Sequence, residues 1–327
     1  MKSMPDDPVT RTHAPVQARR HIQIILNPIA GRRHRSLLDA VLARLGRAGC
    51  AVTLLSTHAP GDAERLARDI LARIPTERPD LIVAAGGDGT IGEIVEGMLK
   101  SSAQKNDIPL GIIPLGIIPL GTANVLAGEL GLPENAADLA YLLLSAPAKP
   151  IFVGRANGRC FTQMAGIGFD AHVVASVDPG LKRLIGKGAY LVAAFRQLRR
   201  FSFPRYRILI DGVAHEAASI ILAKGRYYGG KHLLAPKAKL SDPSFQVCLF
   251  KRPGVWNILK YTLAMRLGFL PRLSGFRIIA GRSVRIDGPQ GDPVQGDGDI
   301  IAHLPVEIGI APDPLLVIGP ANDQAAN

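Results

Sequence analysis

Between Arg20 and Pro150, short apolar strands alternate with amphipathic helices, and this alternation restricts the fold more than any other feature of the sequence. Apolar runs at Ile22–Leu26, Ala51–Leu55 and Leu81–Ala85 have the length of buried strands, and apolar residues at helical spacing follow each of them. Such alternation predicts a parallel sheet that is covered by helices on both faces. We therefore expect the first half of the chain to be an α/β domain.

The second half of the chain has a different pattern. Strand-like runs such as Tyr206–Ile210 and Phe245–Phe250 are separated by turn pairs such as Asp211-Gly212. Helical patterns near residues 187–200 and 254–268 interrupt these runs. The pattern predicts an antiparallel β domain with a few helices. By range, we expect a disordered leader at 1–20, an α/β domain at 21–150, a β domain at 151–320 and a tail at 321–327.

The segment GIIPL occurs twice in succession, at Gly111–Leu115 and Gly116–Leu120. Five residues of strand span ~16 Å, and because five is odd, absorbing the insert within a strand would turn each side chain to the opposite face. We therefore expect Ile117 and Ile118 to stay in the sheet, with the upstream copy lengthening the loop around residues 106–114.

The charge of the chain favours an anionic partner. The chain has 39 Lys and Arg residues against 27 Asp and Glu residues, a net charge of +12, which suits a phosphate-bearing ligand or an acidic membrane surface. The sequence contains no nucleic-acid-binding signature, and we expect no nucleic-acid partner. No apolar run approaches the ~18–20 residues that cross a bilayer, and residues 1–20 lack the apolar stretch of a signal peptide. We expect a cytoplasmic protein with peripheral contact to the inner leaflet.

The strongest functional motif is Gly86-Gly87-Asp88-Gly89-Thr90, which lies after a predicted strand and before a predicted helix. Its glycines let the backbone approach a ligand closely. The helix N-terminus adds unpaired N–H groups and the positive end of the helix dipole. These features predict a phosphate-binding turn. The motif is neither a Walker A loop nor a GxGxxG dinucleotide fingerprint.

Polar loops also follow the other predicted strands of the first half. Asn27–Gly31 follows the first strand, Thr57 the second and Gly121–Asn124 the fourth. In an open α/β sheet, ligands bind outside the carboxyl ends of the strands. Four such loops at one edge of the sheet predict a nucleotide pocket.

The ordered motifs N-P-x-x-G, G-G-D-G-T and P-L-G-T-A-N resemble the catalytic domain of the diacylglycerol kinase and sphingosine kinase-like lipid kinases, in particular the compact bacterial members. The likeness extends from about Ile22 to Pro320. In the second half it includes G-I-G-F-D-A at Gly166–Ala171, Y-G-G at Tyr228–Gly230, P-K-A-K-L at Pro236–Leu240 and D-G-D at Asp297–Asp299.

The resemblance implies an ATP-binding α/β domain, a C-terminal β-sandwich and an active site in the cleft between them, with ATP and Mg²⁺ as cofactors. Asp297 and Asp299 would approach the γ-phosphate, and one of them would act as general base. Together with the strand-end loops, the resemblance implies that ATP is bound by Asn27, Gly31, Thr57, Gly86, Gly87, Asp88, Gly89, Thr90, Thr122 and Asn124.

The resemblance also implies metal and lipid contacts. Asp88 is the only acid in the phosphate-binding turn and would hold Mg²⁺ through water. A structural Mg²⁺ would lie near Lys239, Asp242 and Ser244, with backbone oxygens among its ligands, and Asp170 would contact a lipid head group. Glu93 follows the turn and would orient it, or would be an exposed acid favoured by the helix dipole.

The sequence departs from the family pattern at several positions. The final D-G-E of the family is D-G-D here, which draws the carboxylate of Asp299 back by ~1.5 Å. A misplacement of ~1 Å can cost ~10²-fold in rate. The metal-loop segment, often L-D-D-G, reads Leu240-Ser241-Asp242-Pro243, and Gly92 stands where Asn is usual. Reduced or narrowed activity therefore stays open.

Two segments mix apolar and basic side chains in a way that suits an anionic membrane surface. One spans 254–277 and includes Trp256 and Arg266, and the other includes basic residues from Lys182 to Arg207. Core-facing helices with solvated charges would explain either segment equally well. We expect a lipid acceptor and transient contact with an acidic leaflet, and a homodimer stays open.

The leading hypothesis is an ATP-dependent lipid kinase that phosphorylates the hydroxyl of diacylglycerol or a related lipid. An NAD kinase or phosphofructokinase-like enzyme is the first alternative, because those families also use GGDG loops. The second alternative is a nucleotide- or lipid-binding regulator that no longer catalyses.

Overall fold

The computed structural model describes residues 19–30, 34–104, 113–178, 180, 188–230 and 232–320. The first sheet has the strand order β2-β1-β3-β4-β20-β5. Its strands are β1 (His21–Leu26), β2 (Ala51–Ser56), β3 (Leu81–Gly86), β4 (Leu115–Pro119), β5 (Ala148–Ile151) and β20 (Leu315–Ile318). Neighbouring strands from β2 to β20 run parallel, and β5 runs antiparallel to β20. The predicted parallel sheet is confirmed.

Helices cover both faces of this sheet. Helices α1 (Arg35–Arg47) and α5 (Ala136–Ser145) pack on one face, and α2 (Asp62–Ala72) and α3 (Asp88–Gln104) on the other. The short helix α4 (Val125–Glu129) follows β4. Side chains of a strand alternate between its two faces, so successive apolar residues of β1 enter the two cores in turn. Complete burial of a side chain of this size stabilises the fold by ~1.5–3 kcal/mol.

The second GIIPL copy lies in the sheet, as the sequence predicts. Strand β4 contains Ile117 and Ile118, and both are buried. Leu115, the last residue of the upstream copy, begins the strand, while residues 105–112 lie outside the described part of the chain. Gly116 allows α5 to approach, because a Cβ there would lie 2.6 Å from the Leu143 side chain.

The second half forms two antiparallel sheets that face each other, and the expected β-sandwich is confirmed. The second sheet consists, in spatial order, of β10 (Val213–Ala217), β9 (Tyr206–Ile210), β16 (Ser283–Asp287), β19 (Val306–Ile310), β6 (Gly154–Ala156) and β7 (Arg159–Phe161). The third consists of β15 (Phe276–Gly281), β14 (Phe245–Phe250), β11 (Ser219–Ala223), β8 (Met164–Ile167), β17 (Pro293–Gly296) and β18 (Asp299–His303). Their inner faces share one apolar core.

Among the described residues of the second half, three further helices and a short ribbon lie outside these two sheets. Helix α6 (Phe169–Ala175) packs against α7 (Gly188–Arg200), and α8 (Val255–Arg266) covers the outer face of the third sheet. The ribbon pairs β12 (Tyr227–Tyr228) with β13 (His232–Leu233). Among the described residues, no helix has both the length and the apolar character that a membrane span requires.

Candidate active site

The predicted phosphate-binding turn joins β3 to α3. Gly86 ends the strand and Asp88 begins the helix. A Cβ on Gly86 would lie 2.5 Å from Thr90 Oγ1, so only glycine fits beneath the first turn of the helix. The first N–H groups of a helix have no partner within it, and a helix of 17 residues carries a full dipole. The turn therefore offers donors and positive potential to an anion.

Asn27 ties the end of β1 to this turn. Its Nδ2 donates to Thr90 Oγ1 at 3.2 Å, and its Oδ1 accepts from the backbone N–H of Ile29 and of Ala30. Thr57 is buried at the end of β2, where its backbone N–H donates to Leu26 O at 2.9 Å. Gly31 lies outside the described residues.

The β4–α4 turn lies directly against the phosphate-binding turn. A Cβ on Gly121 would be 2.5 Å from the Cα of Gly87, so the two glycines let the two backbones touch. Asn124 donates from Nδ2 to Gly121 O at 2.9 Å. It has a left-handed conformation with φ 49°, and its buried Oδ1 accepts no hydrogen bond among the described residues. Thr122 is exposed on this turn.

Asp88 links the starts of α3 and α4. Its Oδ1 accepts from Leu126 N at 3.3 Å. Burial raises the pKa of Asp88 above its ordinary value, and the negative charge of Asp297 adds to that rise. The charges of these two acids repel each other, and a cation bound between them would offset that repulsion.

Asp297 and Asp299 lie at a tight hairpin between β17 and β18. Asp297 and Gly298 form the two-residue turn with φ of 51° and 94°, the values of a type I′ turn. The Asp297 carboxylate accepts from three consecutive backbone N–H groups, those of Thr162, Gln163 and Met164, at 2.6–3.0 Å, and also from the Thr162 hydroxyl at 2.8 Å. Burial nevertheless raises the pKa of this acid. The role of Asp297 that these contacts support is to anchor the hairpin.

Asp299 is the first residue of β18, is exposed and faces the phosphate-binding turn. A Cβ built on Gly89 would lie 3.7 Å from Asp299 Oδ2. The D-G-D acid of the second half therefore lies directly opposite the G-G-D-G-T turn of the first half, across the cleft. The structure thus brings together Asn27, Gly86–Thr90, Gly121, Asn124 and Asp299.

Asp170 has protein partners on both carboxylate oxygens. Oδ1 accepts from the Tyr228 hydroxyl, and Oδ2 accepts from Gln295 Nε2 at 2.7 Å. Gln295 Oε1 in turn accepts from Gly298 N at 3.0 Å. Asp170 therefore acts on the Asp297–Asp299 hairpin through Gln295, and its lipid contact stays a prediction. Sequence reasoning missed Gln295, because an amide two residues before Asp297 carries no signal of its own.

The predicted structural metal site does not fit a divalent cation. Lys224 donates from Nζ to the carbonyl oxygens of Asp242 and of Ser244, the latter at 3.1 Å, and Lys239 O accepts from Asp242 N at 3.2 Å. Burial lowers the pKa of Lys224 to about 8, and Asp242 opposes part of that shift. Among the described residues, no group of three His, Cys, Asp or Glu side chains could hold a metal ion. The sequence signal that could have indicated a buried Lys224 is its position directly after an apolar run.

Buried acids connect the two halves of the chain. Glu96 on α3 accepts from Cys160 N at 2.8 Å, and Glu129 on α4 accepts from Arg226 Nε at 3.1 Å. Glu129 and Arg226 form a charge pair, and because breaking a buried charge pair is strongly destabilising, this contact fixes the cleft. Glu93 accepts from Ala63 N at 3.2 Å at the start of α2, a contact with that helix rather than with the phosphate-binding turn. Sequence reasoning missed Glu96 and Glu129, because both lie within apolar helical patterns.

A glycine turn at a helix N-terminus, opposed by a carboxylate from the second half of the chain, provides groups that phosphoryl transfer uses. Residues 21–156 match the family profile described as diacylglycerol kinase catalytic domain. Residues 163–319 match the profile described as YegS C-terminal NAD kinase beta sandwich-like domain.

Full-length relatives agree with these matches. The chain is 32% identical over 251 residues to diacylglycerol kinase from Bacillus subtilis strain 168. The aligned region covers 75% of this chain and 78% of the relative. It is 30% identical over 293 residues to the "Probable lipid kinase YegS-like" protein of Pseudomonas aeruginosa PAO1, which covers 86% and 89% respectively. A crystal structure of a "putative diacylglycerol kinase" from Bacillus anthracis strain Sterne superposes with a TM-score of 0.76 at 26% identity, covering 96% of this chain and 99% of that one.

The chain belongs to the diacylglycerol kinase and YegS-like lipid kinase family. Membership makes it a phosphotransferase that acts on an alcohol group.

Proposed function

We propose that the protein transfers the γ-phosphoryl group of ATP, carried with Mg²⁺, to the hydroxyl of diacylglycerol or a related lipid. The observation that carries the proposal is the 3.7 Å separation between Asp299 Oδ2 and the Cβ position of Gly89. It leaves a carboxylate and a helix N-terminus facing the same space. Phosphoryl transfer needs both, one to accept a proton and the other to bind phosphate oxygens.

The phosphate chain of the nucleotide binds at the start of α3. Backbone N–H groups of the Gly86–Thr90 turn donate to its oxygens, and the helix dipole favours their negative charge. Asn27 holds the Thr90 side chain in place. Asp88 would hold the Mg²⁺ that arrives with ATP through water, and the ion would neutralise charge on the phosphates.

Asp299 acts as the general base. The lipid hydroxyl oxygen forms a bond to the γ-phosphorus, its proton passes to the Asp299 carboxylate, and the bond to the β,γ-bridging oxygen breaks to release ADP. Asp297 cannot easily take this role, because its carboxylate already accepts four hydrogen bonds. Asp297 and Gln295 instead position the hairpin that carries the base.

Transfer of label from γ-labelled ATP tests this function. Three acceptors are tested in separate reactions: diacylglycerol in vesicles, NAD⁺, and a sugar phosphate. We expect label in the lipid. Asp299→Asn should lower kcat by ~10²–10⁴-fold, while Asp313→Asn, a change of an exposed acid in the loop before β20, should not. Label in NAD⁺ alone would refute the lipid assignment, and nucleotide binding without turnover on any acceptor would indicate a regulator. A gain in kcat for Asp299→Glu would show that the shortened acid limits the rate.

Exposed apolar side chains on α7 and α8 support contact with an anionic membrane. On α7, Leu191 and Phe195 are 67% and 59% exposed, and Arg199 lies 4.7 Å from the centre of the Phe195 ring. On α8, Trp256 is 83% exposed and Leu263 57%. Basic side chains on the same helices are Arg196, Arg199, Arg200, Lys260 and Arg266. Apolar residues flanked by cations bind acidic lipid surfaces.

Helix α7 lies beside the catalytic hairpin, because the Tyr190 hydroxyl donates to Gly298 O at 3.5 Å. A membrane that held α7 would present its lipids close to Asp299. The predicted basic residues Lys182, Arg183 and Lys187 lie outside the described part of the chain.

Trp256 is the single tryptophan of the chain and reports directly on membrane contact. We expect its emission to shift to shorter wavelength with vesicles that contain phosphatidylglycerol and not with phosphatidylcholine alone. Phe195→Ser should weaken co-sedimentation with anionic vesicles, whereas Tyr141→Ser, a change of an exposed aromatic residue on α5, should not. Equal co-sedimentation of all three proteins would contradict the assignment of α7.

A further inference from the structure

Lys224 is a buried cation that the proposed reaction does not use. It follows β11 and its side chain is 0% exposed. Its Nζ donates to the carbonyl oxygens of Asp242 and Ser244, which lie in the turn before β14. The carboxylate of Asp242 adds a favourable charge interaction. A buried amine needs hydrogen-bond acceptors, and the Lys224 Nζ has two of them here.

The family resemblance places a structural divalent cation at the same turn, with backbone oxygens of Lys239, Asp242 and Ser244 among its ligands. The Lys224 ammonium already uses two of these oxygens. Mg²⁺ requires near-octahedral oxygen ligands at about 2.0–2.1 Å, which would bring it into contact with the Nζ atom. Two cations beside the single carboxylate of Asp242 would leave a large uncompensated positive charge.

We propose that the Lys224 ammonium is the resident cation of the 239–244 turn and takes the place of a structural divalent ion, so that this fold requires no structural metal. A covalently attached cation cannot dissociate, and the turn therefore keeps its conformation whatever the free Mg²⁺ concentration. The proposal concerns only this turn and leaves the Mg²⁺ that accompanies ATP unaffected.

The position of Lys224 connects the turn to the catalytic hairpin. Lys224 N donates to Gln163 O at 2.8 Å, and Gln163 N donates to Asp297 Oδ1 at 2.9 Å. The backbone of Lys224 thus lies two hydrogen bonds from the acid that anchors the hairpin.

Thermal unfolding of the nucleotide-free protein tests the proposal without any measurement of turnover. We expect the same melting temperature in excess EDTA, in Mg²⁺ and in Ca²⁺. Repeating the scan in an Asp88→Asn background removes any contribution of the nucleotide site. A melting temperature of the Asp88→Asn protein, with Lys224 intact, that rises with Mg²⁺ would overturn the proposal.

Two substitutions of Lys224 complete the test. Lys224→Met removes the charge and leaves two carbonyl groups unpaired, and it should lower the melting temperature by roughly 5–10 °C, whereas Lys237→Met on the exposed neighbouring turn should not. Lys224→Ser leaves space for an ion, and we expect Mg²⁺ or Ca²⁺ to raise its melting temperature. Absence of that rise in folded protein would count against the turn as a cation site.

If both Lys224 variants fail to fold, Mn²⁺ binding to protein that retains Lys224 still tests the proposal. Electron paramagnetic resonance of free Mn²⁺ in the Asp88→Asn background should show no bound ion. A bound Mn²⁺ that Asp242→Asn releases would overturn the proposal.

Discussion

The two sides of the cleft are built by different means. The phosphate side, from Asn27 to Asn124, consists of short turns at the ends of parallel strands, and its main contacts join glycines of neighbouring turns. The acid side is one hairpin held by residues distant in sequence, since Asp297 accepts from Thr162, 135 residues away, and Gln295 donates to Asp170, 125 residues away. Local backbone geometry therefore sets the first side, and long-range hydrogen bonds set the second.

On the phosphate side, the largest effect is expected from Gly86→Ala. The added Cβ would lie 2.5 Å from Thr90 Oγ1 and would displace the first turn of α3. We expect phosphoryl transfer to fall by ~10²-fold, because displacement of a binding group by ~1 Å has an effect of this size. The measurement is the steady-state rate with saturating lipid.

Gly46→Ala on α1 is the control for this prediction, because a Cβ there meets nothing within 4 Å. If Gly86→Ala retained the wild-type rate, the phosphate side would not depend on the backbone geometry of this turn.

The next effect is expected on the acid side from Asp297→Ala, which leaves three backbone N–H groups without their acceptor. We expect the free energy of unfolding to fall by ~3–5 kcal/mol, measured by urea denaturation. Asp211→Ala provides the matched control, since Asp211 occupies the same position of a hairpin turn and accepts from Arg282 N and Ser283 N, but is exposed. Equal losses for the two variants would mean that the Asp297 contacts contribute no more than a solvated turn does.

Gln295→Met is expected to lower kcat, which depends on the acid side, without changing ATP affinity, which depends on the phosphate side. It removes the acceptor of Gly298 N and leaves Asp170 Oδ2 without its donor. Because only the acid side loses contacts, kcat should fall by roughly 10-fold while the dissociation constant of ATP stays unchanged. Gln246→Met on β14, three strands away in the same sheet, should change neither. A parallel loss of ATP affinity would show that the hairpin and the phosphate-binding turn are not independent.

The smallest effect concerns the pH dependence of stability at Asp170. Burial raises its pKa above the ordinary value of 3.8, although Tyr228 and Gln295 donate to it. An acid with a raised pKa in the folded state stabilises the fold below its unfolded pKa and loses that contribution as the pH rises through the folded pKa. Asp170→Asn removes this loss, so its stability relative to wild type should increase between about pH 4 and neutrality. A constant difference across that range would contradict the raised pKa.

The same division explains what the sequence could predict. The β-strand pattern at Tyr206–Ile210 matches β9 to the residue, and the predicted strand Leu81–Ala85 matches β3 except for its last residue, Gly86, because both patterns depend on spacing over a few residues. Strand β20 was not assigned to the first sheet, since a short apolar run does not indicate which sheet it joins. The partners of Asp170 and Lys224 were also missed, because only the folded chain brings them together.

The distance between a bound nucleotide and Asp299 tests the central claim most directly. A crystal structure with a non-hydrolysable ATP analogue, Mg²⁺ and a short-chain diacylglycerol should place the γ-phosphate between the start of α3 and the Asp299 carboxylate, with the acceptor hydroxyl within hydrogen-bonding distance of that carboxylate. A triphosphate bound away from Gly86–Thr90, or an Asp299 side chain directed out of the cleft, would contradict it.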